Sequence, residues 1–387
     1  MNWDEIISDK LQQIPPSGIR KFFDLATEID DLISLGVGEP DFVTPWHIRE
    51  SAFYSLEHGS TMYTSNYGLL SLRKEIAKSL NNDYGLDYNP KDQLLVTVGV
   101  SEAVDLALRT VLNDGDELLL PEPSYVSYEP SAILAGGKVN RVKTKPEDDF
   151  KLTADNLERA ITPESKLLIL CYPNNPTGAI MNREELEEIA KVVKKHDLLV
   201  LADEIYSKLT YEGEHVSFPS LPGMKERTIL CNGFSKAYAM TGWRVGYVAA
   251  PKPLLKSMMK IHQYTMLCAP IMSQKAALEA LKNGEKEVVK MVDDYNRRRR
   301  VITKGLNDIG LDCFEPKGAF YAFPSIKSTG LSSQEFAEQL LKENNVAVIP
   351  GNVFGDSGEG FVRCSYAASL DSIYEALNRM EDFVNNL

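Results

Sequence analysis

Leu198-Leu199-Val200-Leu201-Ala202, followed at once by Asp203-Glu204-Ile205-Tyr206, is the stretch that decides the fold. Five apolar residues in a row, with no polar alternation, describe a strand buried on both faces. Just upstream, Arg183 to Lys195 is acidic at its start and basic at its end, the charge order a helix dipole favours. Lys166 to Tyr172 carries the same apolar strand pattern, and so do Thr228 to Cys231 and Val245 to Ala249. Gln93 to Val98 reads as a strand, Ser101 to Leu112 as a helix, and Glu117 to Leu120 as a short strand ended by Pro121. Continuous apolar strands separated by helices predict an α/β fold, with a mostly parallel sheet covered by helices on both faces.

The pattern changes after about residue 280. Long charged helical stretches, Glu285 to Leu306 and Ser333 to Asn344, flank short strands at Ala319 to Phe323 and Phe361 to Ser365. This predicts a smaller α+β domain over 281–387, beside a large α/β domain over 41–280. Residues 1–40 have no core of their own and are expected to pack on the smaller domain. A long helix around Pro251 to Asn283 is expected to link the two.

The 387 residues are 43% hydrophobic and 25% charged, an ordinary globular composition. A net charge of −13 repels phosphate backbones and anionic membrane surfaces, which argues against nucleic-acid and membrane partners. The five cysteines are widely spaced with no C-x-x-C, so neither a zinc site nor a disulfide framework is expected. No metal is expected from the histidines either, which lack ligand spacing. Reduced cysteines and a start without a signal-peptide pattern point to the cytoplasm. No apolar run approaches the roughly 20 residues of a spanning helix.

In open parallel sheets, ligands sit beyond the carboxyl ends of the strands. Four strand ends place polar groups there: Ser101 after the first strand, Asn175 after Lys166 to Tyr172, Asp203 after Leu198 to Ala202, and Lys236 after Thr228 to Cys231. Taken singly, an aspartate after a strand is a turn residue, a lysine is a solvated charge, and Asn-Pro-Thr-Gly is a turn. It is their order along one chain that carries information.

That order resembles the fold-type-I pyridoxal-phosphate enzymes, and within them the class I/II aminotransferases. The resemblance rests on Asn175-Pro176-Thr177-Gly178, on Asp203-Glu204-Ile205-Tyr206, and on Ser235-Lys236 through Thr241-Gly242-Trp243-Arg244. Ile33-Ser34-Leu35-Gly36-Val37-Gly38-Glu39-Pro40-Asp41-Phe42 is similar to the family's N-terminal signature. The wording is most similar to the aspartate and aromatic subgroup.

The resemblance implies a role for each residue. Lys236 forms the Schiff base with pyridoxal 5'-phosphate and carries the proton at the substrate's Cα, which requires a depressed amine pKa. Asp203 pairs with the pyridine nitrogen and keeps it protonated. Tyr206 and Asn175 reach the ring oxygen, and Tyr125 stacks on the ring. The phosphate is held by Arg244, by Ser235, and by the first-turn N–H groups of Val100, Ser101 and Glu102. Gly233 stands where many relatives carry a phosphate-binding serine. Arg363 clamps the α-carboxylate with Asn175, and Gly36 helps to close over the substrate. Tyr63 reaches the phosphate of a neighbouring subunit, which makes the active unit a homodimer. Glu122-Pro123 and Asn175-Pro176 match positions that are cis in relatives.

The implied activity is ping-pong transfer of an amino group from an L-amino acid, aromatic or aspartate, to a 2-oxo acid such as 2-oxoglutarate. A carbon–sulfur β-lyase or an aminocyclopropane-forming enzyme shares the same core motifs. A non-catalytic cofactor-binding regulator is a further class, but it needs a DNA-binding segment, which is not expected from an acidic sequence with no helix-turn-helix pattern. A distal carboxylate needs a second cation, for which Arg20 is a candidate. Arg297-Arg298-Arg299-Arg300 reads as a solvated or salt-bridged helix face.

Overall fold

The apolar runs pair into one seven-stranded sheet in the computed structural model, which describes residues 1, 3, 5–16, 18 and 31–387. Its strands are β1 (Leu94–Thr97), β2 (Glu117–Glu122), β3 (Lys138–Lys143), β4 (Ser165–Leu170), β5 (Leu199–Asp203), β6 (Thr228–Gly233) and β7 (Gly246–Ala249). They lie in the order β1-β7-β6-β5-β4-β2-β3. Only β7 runs antiparallel to its neighbours. Alternate residues of each strand point to opposite faces. Leu168, Leu170, Val200, Ala202 and Leu230 enter one apolar cluster, and Leu167, Ile169, Leu201, Ile229 and Cys231 enter the other. Both faces are therefore covered, which explains why these strands read as unbroken apolar runs.

Helix Arg183–Lys195 shows how local sequence sets its own start. The Asn182 side chain accepts the Glu185 N–H at 2.9 Å, and the Glu185 carboxylate accepts the Asn182 N–H at 2.8 Å. Such a reciprocal cap satisfies two orphan donors and stabilises the helix by about 1 kcal/mol.

Two expectations are corrected and a third is narrowed. β2 does not end at Pro121 but pairs with β3 through Glu122. Its pairing with β4 has already ceased at Leu119, so Pro121 sits where the strand is bonded on one side only, a position that tolerates a missing N–H. The expected long linking helix is two helices, Lys252–Thr265 and Ile271–Asn283: the first closes at Leu267, whose φ is +68°, and Pro270 caps the start of the second. Of the two forms expected for the arginine run, solvated or salt-bridged, Arg298 and Arg299 take the salt-bridged one, and they are buried. Arg298 is buried against Asp41 (2.8 Å) and Asp294 (2.6 Å), and Arg299 is fully buried between Glu212 (2.7 Å) and Glu315 (3.1 Å).

Beyond the large sheet, Tyr321–Ala322, Val362–Ser365 and Ile349–Pro350 form a three-stranded antiparallel sheet. Near the start of the chain, Ile33–Ser34 pairs in parallel with Val346–Ala347. That bridge carries the segment from Gly36 to Glu39 to the carboxyl ends of β4 to β6. Arg20 lies outside the described residues. No helix among the described residues is long and apolar enough to cross a membrane.

Candidate active site

The carboxyl ends of β4, β5 and β6 open into a cavity of about 520 Å³. At its floor, Asp203 is the last residue of β5 and is buried. Its partners are neutral: the Tyr128 hydroxyl donates to Oδ2 at 2.7 Å and the Ile205 N–H to Oδ1 at 3.2 Å. Burial, set against these two bonds, raises its pKa to about 6. A buried carboxylate without a cation is costly, so the floor favours a positively charged group. The protonated nitrogen of a pyridine ring meets that demand.

Lys236 follows β6 and faces the same cavity. Its Nζ donates to the Gly38 carbonyl at 2.6 Å and lies over the Tyr206 and Phe320 rings. Burial first, and then the charge of Arg363, lower its pKa to about 8. Near neutral pH a useful fraction of this amine is therefore unprotonated, as attack on an aldehyde requires.

Arg363 lies mid-strand and is buried. Nη1 donates to Asn175 Oδ1 at 2.9 Å and Nη2 to the Gly36 carbonyl at 2.7 Å. Its Nε is buried with no partner among the described residues. The guanidinium is held between the Tyr321 and Phe354 rings, at 4.5 and 4.9 Å. A rigid cation with neutral acceptors and a spare donor fits a carboxylate fork. Gly178 tightens this corner. Its φ is +74°, and a Cβ there would lie 2.7 Å from the Tyr321 carbonyl oxygen, so the turn after Asn175 admits only glycine.

The other end of the cavity has the donors an anion needs. Val100 and Ser101 line it from the first turn of helix Gly99–Val111, with Ser235 and Arg244 opposite. A helix start offers unpaired N–H groups and a positive dipole end. Gly99 has φ +74°, and a Cβ there would lie 2.7 Å from Arg244 Nη2, so glycine leaves the guanidinium room against that turn. At Gly233 a Cβ would lie 3.0 Å from the Gly246 Cα and 3.1 Å from Val100, so the missing serine coincides with tight strand packing. The Arg244 guanidinium, the serine hydroxyls and the helix start together fit a phosphate.

Tyr125, Asn175 and Tyr206 also line the cavity. Three expected residues stand apart from its lining. Gly36 reaches it only through the carbonyl that accepts Arg363. Glu102 turns its carboxylate away, toward His262. Tyr63 is 82% exposed on the surface. Glu122-Pro123 and Asn175-Pro176 are both cis, as is Tyr172-Pro173. Sequence reading missed Tyr128, which bonds Asp203, and Tyr321, whose hydroxyl lies 2.8 Å from that of Tyr206. Neither had a local signal, because each meets its partner only through the fold. Among the described residues no cluster of metal-ligating side chains occurs.

The family profile described as aminotransferase class I and II matches residues 30–379. The putative aminotransferase YugH of Bacillus subtilis is 56% identical, over 98% of each chain. An aspartate aminotransferase of Pyrococcus abyssi is 47% identical, over 97% of each chain. The crystal structure of an aromatic aminotransferase from Pyrococcus horikoshii OT3 superposes with a TM-score of 0.91 at 46% identity, covering 95% of this chain and 99% of that one.

Proposed function

The chain belongs to the class I and II aminotransferases and is a pyridoxal-phosphate-dependent transaminase; within that family, we propose that it takes its amino group from aromatic amino acids or aspartate and passes it to a 2-oxo acid such as 2-oxoglutarate. The near-equal identity to an aspartate and to an aromatic aminotransferase supports both donor classes. Bound in the cavity, the cofactor supplies an aldehyde for the amino group and a ring that accepts the electron pair left at Cα.

The protein's own residues divide the remaining work. Lys236 is the covalent anchor and, once released, moves the proton at Cα. Asp203, held by Tyr128, keeps the ring nitrogen protonated. Tyr206 donates to the ring oxygen, and Tyr125 covers the ring face. Arg244, Ser101, Ser235 and the first-turn N–H groups of Val100 and Glu102 seat the phosphate. Arg363 and Asn175 hold the α-carboxylate, with Gly36 closing beside them. The single observation that carries this reading is a depressed lysine amine and a buried, under-partnered arginine facing one cavity.

The division near residues 41–280 and 281–387 assigns Lys236 and Asp203 to one domain and Arg363 to the other, so substrate binding would draw the two together. Met62, Tyr63 and Tyr264 are exposed at 77%, 82% and 86%, which suits coverage by a second copy in a homodimer, with Tyr63 reaching the neighbour's phosphate. Five free cysteines suit a reducing cytoplasm.

Substrate class is tested by mixing the holo-protein with single amino acids and following the cofactor's visible band. Aromatic amino acids and aspartate should bleach it fastest. A protein that keeps its colour with every amino acid contradicts the proposal. Arg363→Lys keeps the charge but loses the planar fork. It should lower kcat/KM about 10²- to 10³-fold for every donor alike, because all share the α-carboxylate. Steady-state kinetics with two unlike donors decide this, since a loss confined to one of them would assign Arg363 to side-chain recognition.

A further inference from the structure

Glu102 is the fourth residue of helix Gly99–Val111, whose first turn faces the anion end of the cavity. A free carboxylate there would repel a phosphate. Instead, both of its oxygens are occupied away from the cavity. Oε2 accepts the Val98 N–H at 2.5 Å, and Oε1 lies 2.6 Å from His262 Nδ1. A carboxylate only accepts, so Nδ1 carries the proton.

His262 is fully buried near the end of helix Lys252–Thr265. Its other ring nitrogen, Nε2, is buried with no partner among the described residues. Leaving a buried polar atom unpaired is unfavourable, so an apolar side chain would fill the same space better. The contact that offsets this cost is the bond to Glu102. That bond also acts on Val98, and the residue after Val98 is Gly99, whose missing Cβ makes room for the Arg244 guanidinium.

We propose that Glu102 and His262 form a positioning pair for the phosphate seat. Glu102 pins the turn Val98–Ser101 through the Val98 N–H. His262 keeps the carboxylate occupied and turned from the anion, so that the first-turn donors and Arg244 are already aimed when the phosphate arrives. His262 thereby ties the seat to a helix 160 residues further along the chain. This rests on the reading of that turn as the phosphate seat.

The test is the affinity of the cofactor-stripped protein for pyridoxal phosphate, titrated by absorbance, with its melting temperature measured beside it. His262→Ala should raise Kd about tenfold, the lower end of the losses seen when a partner behind an ion's ligands is removed. KM for amino donors at saturating cofactor should stay unchanged. His262→Asn keeps a donor near the Nδ1 position and should stay within about threefold of the parent. Adding Glu102→Gln to His262→Ala should recover part of the loss, because the amide oxygen still accepts the Val98 N–H and carries no charge. That recovery separates positioning from packing, since two packing losses would accumulate. Arg244→Ala serves as the reference. If it weakens binding while His262→Ala binds like the parent, or if the double variant is weaker than His262→Ala alone, the pair has no such role. If Arg244→Ala also leaves Kd unchanged, the seat itself has been misplaced and the pair falls with it.

Discussion

Lys236→Ala should leave a folded protein whose transamination is slower by at least about 10⁴-fold, because one side chain supplies both the covalent anchor and the proton transfer. The expectation comes from geometry. Nζ is held by the Gly38 carbonyl, beside the Tyr206 ring, inside the cavity that Asp203 and Arg363 share. No other lysine lines that cavity among the described residues. The anion end stays intact in the variant, so pyridoxal phosphate should still bind, but without a covalent link. Single-turnover kinetics on the cofactor-loaded variant measure the loss. A residual rate within tenfold of the parent would mean that some other group moves the proton.

Asp203→Asn should slow transamination by about 10²- to 10⁴-fold, the range expected when a positioned electrostatic or proton partner is lost. Asparagine retains an oxygen for the Tyr128 hydroxyl but cannot hold a protonated ring nitrogen by charge. The same substitution should act in the opposite direction on the stability of the cofactor-free protein. Burial raises the Asp203 pKa to about 6 in the fold. A raised carboxyl pKa means that its favourable contribution is fully present below the unfolded pKa and is lost as pH rises through 6. Above pH 6 the buried charge therefore burdens the empty protein by up to about 3 kcal/mol, and asparagine relieves it. Melting curves at pH 5 and pH 8 without cofactor test this. The variant's gain on the parent should be larger at pH 8 than at pH 5, because the penalty grows from the unfolded pKa up to about 6. Equal curves at both pH values would show that Asp203 carries no uncompensated charge. Removing the cofactor from the parent should expose the same burden, because the ring's positive charge goes with it.

These two residues were visible in the sequence for a simple physical reason. Leu199–Asp203 and Thr228–Gly233 are buried on both faces, so they read as apolar runs, and a parallel sheet brings their carboxyl ends together. Lys138–Lys143 left no such trace. It is an edge strand with Lys138, Arg141 and Lys143 exposed, so it has no apolar run to find. Pro270 was a breaker in plain view, yet helical patterns on both sides of it read as one helix. The burial of Arg298 and Arg299 could not be read from four arginines in a row. Their counter-charges, Asp41, Glu212 and Glu315, come from distant parts of the chain. Tyr128, Tyr321 and His262 were hidden in the same way, since each makes its functional contact across at least 75 residues of sequence. Motif residues announce themselves locally, whereas the residues that hold them in place become visible only in the fold.

Borohydride reduction of the cofactor-loaded protein, followed by peptide mapping, puts the most direct question to the whole scheme. The cofactor mass should appear on the peptide that contains Lys236 and on no other. A label on a different lysine, or none at all on a protein that has taken up the cofactor, would contradict it.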